Sequence, residues 1–180
     1  ISKDGDSTYL PASTSLTIRV LKGTQATLLV TPLSGPYGSP ITLAATGGSG
    51  NGNITFTVAK GTASGCTISN GVLSSLSAGT CLVTARKAGD ANYNSTTSAA
   101  QVITFNPLPQ AAVSLASTTV SQSALNLALA GSGGSGTGAF SFGLLPGGTA
   151  TGCAVSNNVL SWSSVGTCLV SVSRAGDSIY

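Results

Sequence analysis

Residues 66–93 read CTISNGVLSSLSAGTCLVTARKAGDANY, and the pattern returns without a gap at residues 153–180 as CAVSNNVLSWSSVGTCLVSVSRAGDSIY. Sixteen of the 28 aligned positions are identical. The end of the pattern occurs a third time near the start, where residues 3–9 match residues 87–93. The matching tyrosines, at positions 9, 93 and 180, recur at a nearly constant interval, which is typical of a tandem repeat.

A pair of turn-forming residues divides each copy into two short strands. The pair is Asn70-Gly71 in the first copy and Asn157-Asn158 in the second. A type I′ hairpin turn needs positive φ at both central residues, and Asn and Gly tolerate this conformation best. The sequence therefore predicts a tight β-hairpin in each copy.

The cysteines restrict how these strands are arranged. The interval from Cys66 to Cys81 is the same as the interval from Cys153 to Cys168. A plain three-stranded meander would separate their strands by ~9–10 Å, whereas a disulfide needs Cα atoms within about 7 Å. If Cys66 bonds Cys81, we expect residues 77–80 to lead to a second sheet, or the bond to lie where a strand ends. Both arrangements favour a sandwich.

The even cysteine count, one pair per copy, indicates disulfides in an oxidising, extracellular setting. The alternative is reduced, buried thiols. Cys-x14-Cys does not resemble a zinc-binding spacing, and the chain has no His to complete such a site.

Composition excludes several classes of protein. Only 6% of the 180 residues are charged, and Glu, His and Met are absent. The net charge of +3 comes from scattered basic residues, too few for a nucleic-acid footprint. No apolar run approaches the ~18 residues of a membrane span. Apolar residues instead alternate with Ser and Thr, as in short strands with one buried face.

The repeat predicts three segments. Residues 1–22 would carry the closing strand of a preceding repeat, residues 24–105 a complete domain, and residues 106–180 a second domain without its closing strand. Strands are predicted at 26–31, 41–46, 54–58, 64–69, 72–76, 80–87 and 98–105, and in the second domain at 111–115, 124–130 and 139–144, followed by those around the two cysteines.

The pattern Gly-Thr-Cys-x-Val followed by Gly-Asp-x-x-Tyr, at residues 79–93, resembles the bacterial immunoglobulin-like repeats of large surface and secreted proteins. The upstream Gly-x-Ala-x-Gly-Cys that ends at Cys66 belongs to the same resemblance. It implies an all-β protein of tandem immunoglobulin-like β-sandwich domains, about 85 residues per repeat. It also implies an extracellular or cell-surface stalk or adhesin shaft, and it implies no particular ligand.

Two residue types of the repeat could carry chemistry. Asp90 and Asp177 precede turns, where an aspartate usually accepts hydrogen bonds from local backbone amides; the alternative is a calcium site, which needs about six oxygens. Tyr93 and Tyr180 resemble the corner tyrosine that ties a loop to its own sheet; the alternative is a sugar-stacking platform. We predict no metal site and no cofactor.

Trp162 replaces Ser75 in the second copy. Core packing or a domain contact is the expected role, and an aromatic surface for glycans is the alternative. An extracellular carbohydrate-binding or adhesion module is therefore the second functional hypothesis. Without His, Glu or a Cys–His pair, nucleophilic catalysis has no candidate residues, so we predict no enzyme.

Leu16, Ile18 and Val20 alternate with polar and apolar neighbours in a predicted strand spanning residues 10–21. We align this strand with Ala100, Val102 and Thr104 of the next closing strand. It would complete the last domain of another copy, beside Val170 and Val172, either through covalent continuation of the chain or as a strand added from a separate copy. Both routes join copies head to tail, and such contacts build open filaments.

Overall fold

The computed structural model describes residues 1–124 and 126–180. Leu125, within the predicted strand 124–130, lies outside the described residues. The described chain is all-β with several sheets, an arrangement consistent with a β-sandwich. Its helical content is one 3₁₀ turn at Gln122–Ala124 within the described residues.

The segment before the first repeat, residues 1–22, forms a small hairpin and an extended tail. Strands β1 (Ser2–Lys3) and β2 (Ala12–Ser13) pair antiparallel. The predicted strand over residues 10–21 is reduced to β2, and residues 14–22 form no strand. A strand needs a neighbour to satisfy its backbone groups, and residues 15–22 have no strand beside them among the described residues.

The first repeat contains the next ten strands. The cysteine-bearing strand agrees with the prediction to within one residue, whereas both strands of the hairpin are shorter than the predicted 64–69 and 72–76. The ten strands are β3 (Leu28–Thr31), β4 (Ser34–Pro36), β5 (Ile41–Thr42), β6 (Ala44–Gly47), β7 (Ile54–Lys60), β8 (Thr67–Ser69), β9 (Val72–Ser74), β10 (Gly79–Lys87), β11 (Thr96–Thr97) and β12 (Gln101–Asn106).

Strand β10 is the centre of the larger sheet. One edge of β10 pairs with β7, and the other edge pairs with β12 and then with β11, all antiparallel. Strand β4 adds in parallel to the far side of β12. The opposing layer consists of the β5–β9–β8 sheet and the β3–β6 pair.

The second repeat forms the corresponding pairs with fewer strands. Its strands are β13 (Val113–Leu115), β14 (Asn126–Ala128), β15 (Gly131–Gly133), β16 (Phe140–Leu145), β17 (Ala154–Ser156), β18 (Val159–Ser161) and β19 (Leu169–Arg174). β13 pairs with β15, β18 lies between β14 and β17, and β16 pairs with β19. Within the described residues, β19 has no strand on the edge that β12 and β11 occupy in β10.

The core of the first repeat lies between its two layers. Alternate residues of β10, namely Cys81, Val83 and Ala85, are fully buried. Ile103 and Phe105 of β12 add to them, and Leu28, Val30, Ile41, Leu43 and Leu73 cover them from the opposing layer. This period of two places one face of each strand in the core.

The inward face of the closing strand differs from the prediction. Ile103 and Phe105 face the core, whereas Val102 is 51% exposed. The predicted alignment of residues 16, 18 and 20 with Ala100, Val102 and Thr104 is therefore wrong, because it matches them to the face that points away from the core. The reason is a β-bulge. Between the pairs Arg86↔Thr97 and Val83↔Gln101, two residues of β10 face the three residues 98–100. The extra residue reverses which side chains point inward.

Candidate functional site

The repeated aspartate organises a turn through backbone hydrogen bonds. Oδ1 of Asp90 accepts hydrogen bonds from the N–H groups of Asn92 and Tyr93, both at 2.9 Å. Its Oδ2 accepts a third, from the Asn51 N–H at 2.7 Å. The aspartate therefore closes its own turn and also fastens the glycine-rich loop of residues 47–53 to it.

The other two copies of the aspartate make the same local bonds. Oδ1 of Asp177 accepts from Ile179 and Tyr180 at 2.9 Å, and its Oδ2 accepts from the Thr137 N–H at 2.6 Å. Oδ1 of Asp6 accepts from the N–H groups two and three residues later, at 2.7 and 2.9 Å. The turn is thus a unit specified by its own sequence.

These backbone donors lower the pKa of each aspartate below its ordinary value of 3.8. The largest effect on the pKa comes from the Asn51 N–H for Asp90, from the Thr137 N–H for Asp177 and from the Thr8 N–H for Asp6. Hydrogen bonds donated to a carboxylate favour its charged form. Among the described residues, no group of three or more His, Cys, Asp or Glu is placed to hold a metal ion.

Glycines allow the loop to approach the carboxylate. A Cβ on Gly136 would lie 2.6 Å from Oδ2 of Asp177, and a Cβ on Gly50 would overlap Oδ2 of Asp90. The glycine-rich loop of residues 47–53 therefore packs closely against the aspartate turn. Only a residue without a side chain fits these positions.

Two glutamines complete the same region, and the sequence analysis did not single them out. Nε2 of Gln25 donates to the carbonyl oxygens of Ala88 (3.1 Å) and Asn94 (2.8 Å). Nε2 of Gln110 donates to the corresponding carbonyl of Ala175 at 2.9 Å. The two glutamines are separated by one repeat length, and this spacing is the signal that could have identified them.

Each disulfide joins the two layers of its repeat. The Cα atoms of Cys66 and Cys81 are 6.0 Å apart, as are those of Cys153 and Cys168. Cys81 lies in β10, whereas Cys66 directly precedes β8 in the opposing layer. Residues 77–80 therefore lead from one layer to the other. Two disulfides fit an oxidising environment.

The hairpin turns have the backbone conformation of type I′. Asn70 and Gly71 have φ values of 49° and 77°, and Asn157 and Asn158 have values of 49° and 61°. Replacing Gly71 by Asn158 keeps the turn because Asn is the side-chain-bearing residue that best tolerates positive φ.

Tyr93 contacts the chain that enters the repeat. The N–H of Gly23 donates to the Asn92 carbonyl and the N–H of Asn94 donates to the Gly23 carbonyl, both at 2.9 Å. A Cβ on Gly23 would lie 3.4 Å from the Tyr93 ring. The Tyr93 ring therefore packs against Gly23 at the start of its repeat, whereas Tyr9 of the N-terminal copy is 74% exposed.

The two repeats meet through backbone hydrogen bonds, which we call the joint. The Ala78 N–H, in the loop before β10, donates to the Ser178 carbonyl at 2.7 Å. The Leu108 N–H, in the linker between the repeats, donates to the Ile179 carbonyl at 2.8 Å. The aspartate turn of the second repeat is thus held by the linker and by the end of the first repeat.

The residues predicted to complete a strand are not in contact in the single chain. Leu16, Ile18 and Val20 are 84%, 77% and 89% exposed. Val170 and Val172 are half-buried in β19. Trp162 is also half-buried and lines a groove beside β19 together with leucine, serine and threonine residues.

No protein-family model, curated protein or solved structure matches this chain. In the part of the chain that the structure describes, no helix has the length and apolarity that a membrane crossing requires.

Proposed function

We propose that this chain is a structural component of an extracellular fibre or cell-surface stalk. It is built from tandem immunoglobulin-like β-sandwich domains that are joined head to tail. Its task is mechanical: it sets a distance and resists unfolding and proteolysis.

The joint is the observation that supports this proposal most directly. Both of its hydrogen bonds, Ala78 to Ser178 and Leu108 to Ile179, use main-chain atoms. Because the bonds do not depend on particular side chains, the same joint can recur wherever the repeat recurs. The linker at residues 106–110 contains two prolines, which favour a short extended connection.

The disulfides support an extracellular, load-bearing role. Each one crosses between the two layers and closes a segment of 15 residues. Such a bond keeps the layers together even when the surrounding hydrogen bonds are pulled apart. The low charged fraction of 6% leaves few Lys and Arg sites for trypsin-like proteases on the surface.

Single-molecule force spectroscopy on the full chain, held at its two ends, tests the mechanical role. We expect two separate unfolding events. Under reducing conditions each event should lengthen by about 45 Å. The chain from one cysteine to the other, a sequence separation of 15, then extends at ~3.5 Å per residue, less the 6.0 Å that already separates their Cα atoms.

A matched variant assigns the events. In the double variant Cys153→Ala/Cys168→Ala, only the event of the first repeat should still lengthen under reducing conditions. A chain that extends without any resolved unfolding event, or whose events ignore reductant, would contradict the proposal.

A further inference from the structure

An open groove runs along the free edge of β19. It has a volume of about 670 Å³. Apolar side chains from both layers line it, including Leu115, Leu127, Leu129, Leu160 and Trp162. In the first repeat the equivalent space holds Ile103 and Phe105 of β12, both buried. The groove therefore has the position and lining of the space that β12 fills in the first repeat.

The far wall of the groove offers a second edge for pairing. In the first repeat, β4 (Ser34–Pro36) pairs in parallel with β12. The corresponding residues 119–121 form no strand, and Thr119 and Val120 line the groove. A strand inserted here would lie between two backbone edges, as β12 does.

The N-terminal tail has the side-chain pattern that this groove requires. Gly23 and Leu108 make equivalent hydrogen bonds, and so do Gln25 and Gln110, and the members of each pair are one repeat length apart. Subtracting this repeat length from the residue numbers of β12 aligns three exposed apolar residues of the tail with the positions of β12 whose side chains point inward. Leu16, Ile18 and Val20 thus correspond to Gln101, Ile103 and Phe105.

We propose that residues 14–21 of one copy add antiparallel to the free edge of β19 in a second copy; this rests on the proposed head-to-tail function. The register is taken from the first repeat, where Ile103 lies opposite Cys81 and Gln101 lies opposite Val83. Ile18 of the incoming strand lies opposite Cys168, and Leu16 lies opposite Val170.

The joint within the chain is the template for the joint between copies. The counterpart of Ala78 is Val165, which is 77% exposed, and the counterpart of Ser178 is Ala91. The Val165 N–H of the accepting copy therefore meets the Ala91 carbonyl of the donating copy. Within the donating copy, the Gly23–Asn92 hydrogen bond already matches the Leu108–Ile179 bond.

Addition to a second copy replaces the pairing between β1 and β2. Residues 1–9 repeat the pattern of residues 172–180, and β1 pairs with β2 as the end of β10 pairs with β11. On addition, β2 leaves β1 and pairs with the end of β19, and the residues that follow fill the groove.

Sedimentation velocity of the full chain over a range of concentrations tests the inference. The native chain should form oligomers that grow with concentration. Ile18→Asp should weaken association about a hundredfold, because it places a carboxylate among apolar side chains. Thr17→Asp is the matched control, since residue 17 faces outward, and it should associate as the native chain does. Oligomers that survive Ile18→Asp would overturn the inference.

A peptide tests the groove alone. A synthetic peptide of residues 12–22, ASTSLTIRVLK, should bind the Ile18→Asp protein and shift the fluorescence of Trp162, the only tryptophan. The same peptide with Ile18→Asp should not. A native chain that stays monomeric yet binds the peptide would overturn addition from a second copy and assign the groove to a covalently following segment. No assembly and no binding would overturn strand addition but not the mechanical role, which the force experiment measures on one chain.

Paired cysteines test the register. Thr17→Cys with Leu169→Cys places both thiols on the outer face at directly opposite positions, so an intermolecular disulfide should form on oxidation. Leu21→Cys with Leu169→Cys displaces the pair by four residues, about 13 Å along the strand, and should not cross-link. Equal cross-linking of both pairs, mapped by mass spectrometry of the tryptic peptides, would overturn the register.

Discussion

Leu28, Ile103 and Phe105 of the first repeat are at most 1% exposed, and eight more apolar residues are buried with them. In the second repeat Leu160, at 7% exposed, is the one buried apolar side chain among the described residues. Yet both repeats have the same disulfide, the same type I′ turn and the same aspartate turn. Local motifs therefore form without a closed core, and in the first repeat Ile103 and Phe105 of β12 complete that core.

The largest effect should come from making the first repeat resemble the second. Phe105→Ala removes the largest buried side chain of β12 and should cost about 3–5 kcal/mol of the free energy of unfolding, from the lost burial and the cavity left behind. Urea denaturation of the first repeat measures it. Val102→Ala, on the exposed face of the same strand, should change this free energy by less than about 0.5 kcal/mol. Equal losses would mean that the inward face of β12 does not distinguish the repeats.

The disulfides should contribute similarly to both repeats despite their different burial. Cys66→Ala/Cys81→Ala should cost roughly 3 kcal/mol on the chain-entropy model for a loop of about 15 residues, and so should Cys153→Ala/Cys168→Ala. Urea denaturation followed by Trp162 fluorescence isolates the second repeat.

Mass spectrometry provides the control for the disulfides. The non-reduced chain should be lighter than the reduced chain by four hydrogens, two for each disulfide. Four thiols that alkylate in the native protein would contradict the pairing and weaken the extracellular assignment.

The turns should give a smaller, local effect. Asn157→Val places a β-branched residue at a φ of 49° and should cost about 1–2 kcal/mol; Asn70→Val should do the same in the first repeat. Asn158→Gly, which restores the residue found at position 71, is the control and should not destabilise. Thermal unfolding compares them, and unchanged melting temperatures in both Val variants would refute the strained position.

The smallest expected effect is a loss of folding stability at low pH. The folded-state pKa of Asp90 and of Asp177 lies below 3.8, so each carboxylate contributes stability above that pH and loses it as the pH falls toward the folded-state pKa. The melting temperature should therefore drop below about pH 4. Asp90→Asn should flatten the drop in the first repeat, and Asp177→Asn in the second. An identical pH profile in native and variant proteins would show that these carboxylates are not linked to folding.

Features encoded by nearby residues could be predicted from the sequence. The Asn70-Gly71 turn, the passage of residues 77–80 between layers and the alternation around Cys81 all depend on residues that are close together along the chain. They could be derived because turn conformation and strand periodicity are local properties.

Features that depend on distant partners could not be predicted in the same way. The bulge at residues 98–100 is visible only in the pairing with β10. A simple alternation of inward and outward side chains therefore predicted the wrong inward face for the closing strand. The parallel strand Ser34–Pro36 and the contact from Asn51 to Asp90 likewise require the folded arrangement. A glycine-rich segment resembles a loop in any sequence, whatever it packs against.

The joint also makes the stability of each repeat depend on its neighbours. Because the Ala78–Ser178 and Leu108–Ile179 hydrogen bonds exist only while both repeats are folded, they would act as a nearest-neighbour coupling energy in the proposed head-to-tail array. A repeat in the interior of such an array has two couplings and a terminal repeat has one. Fraying then starts at the ends, and lengthening the array raises the cooperativity with which its interior unfolds.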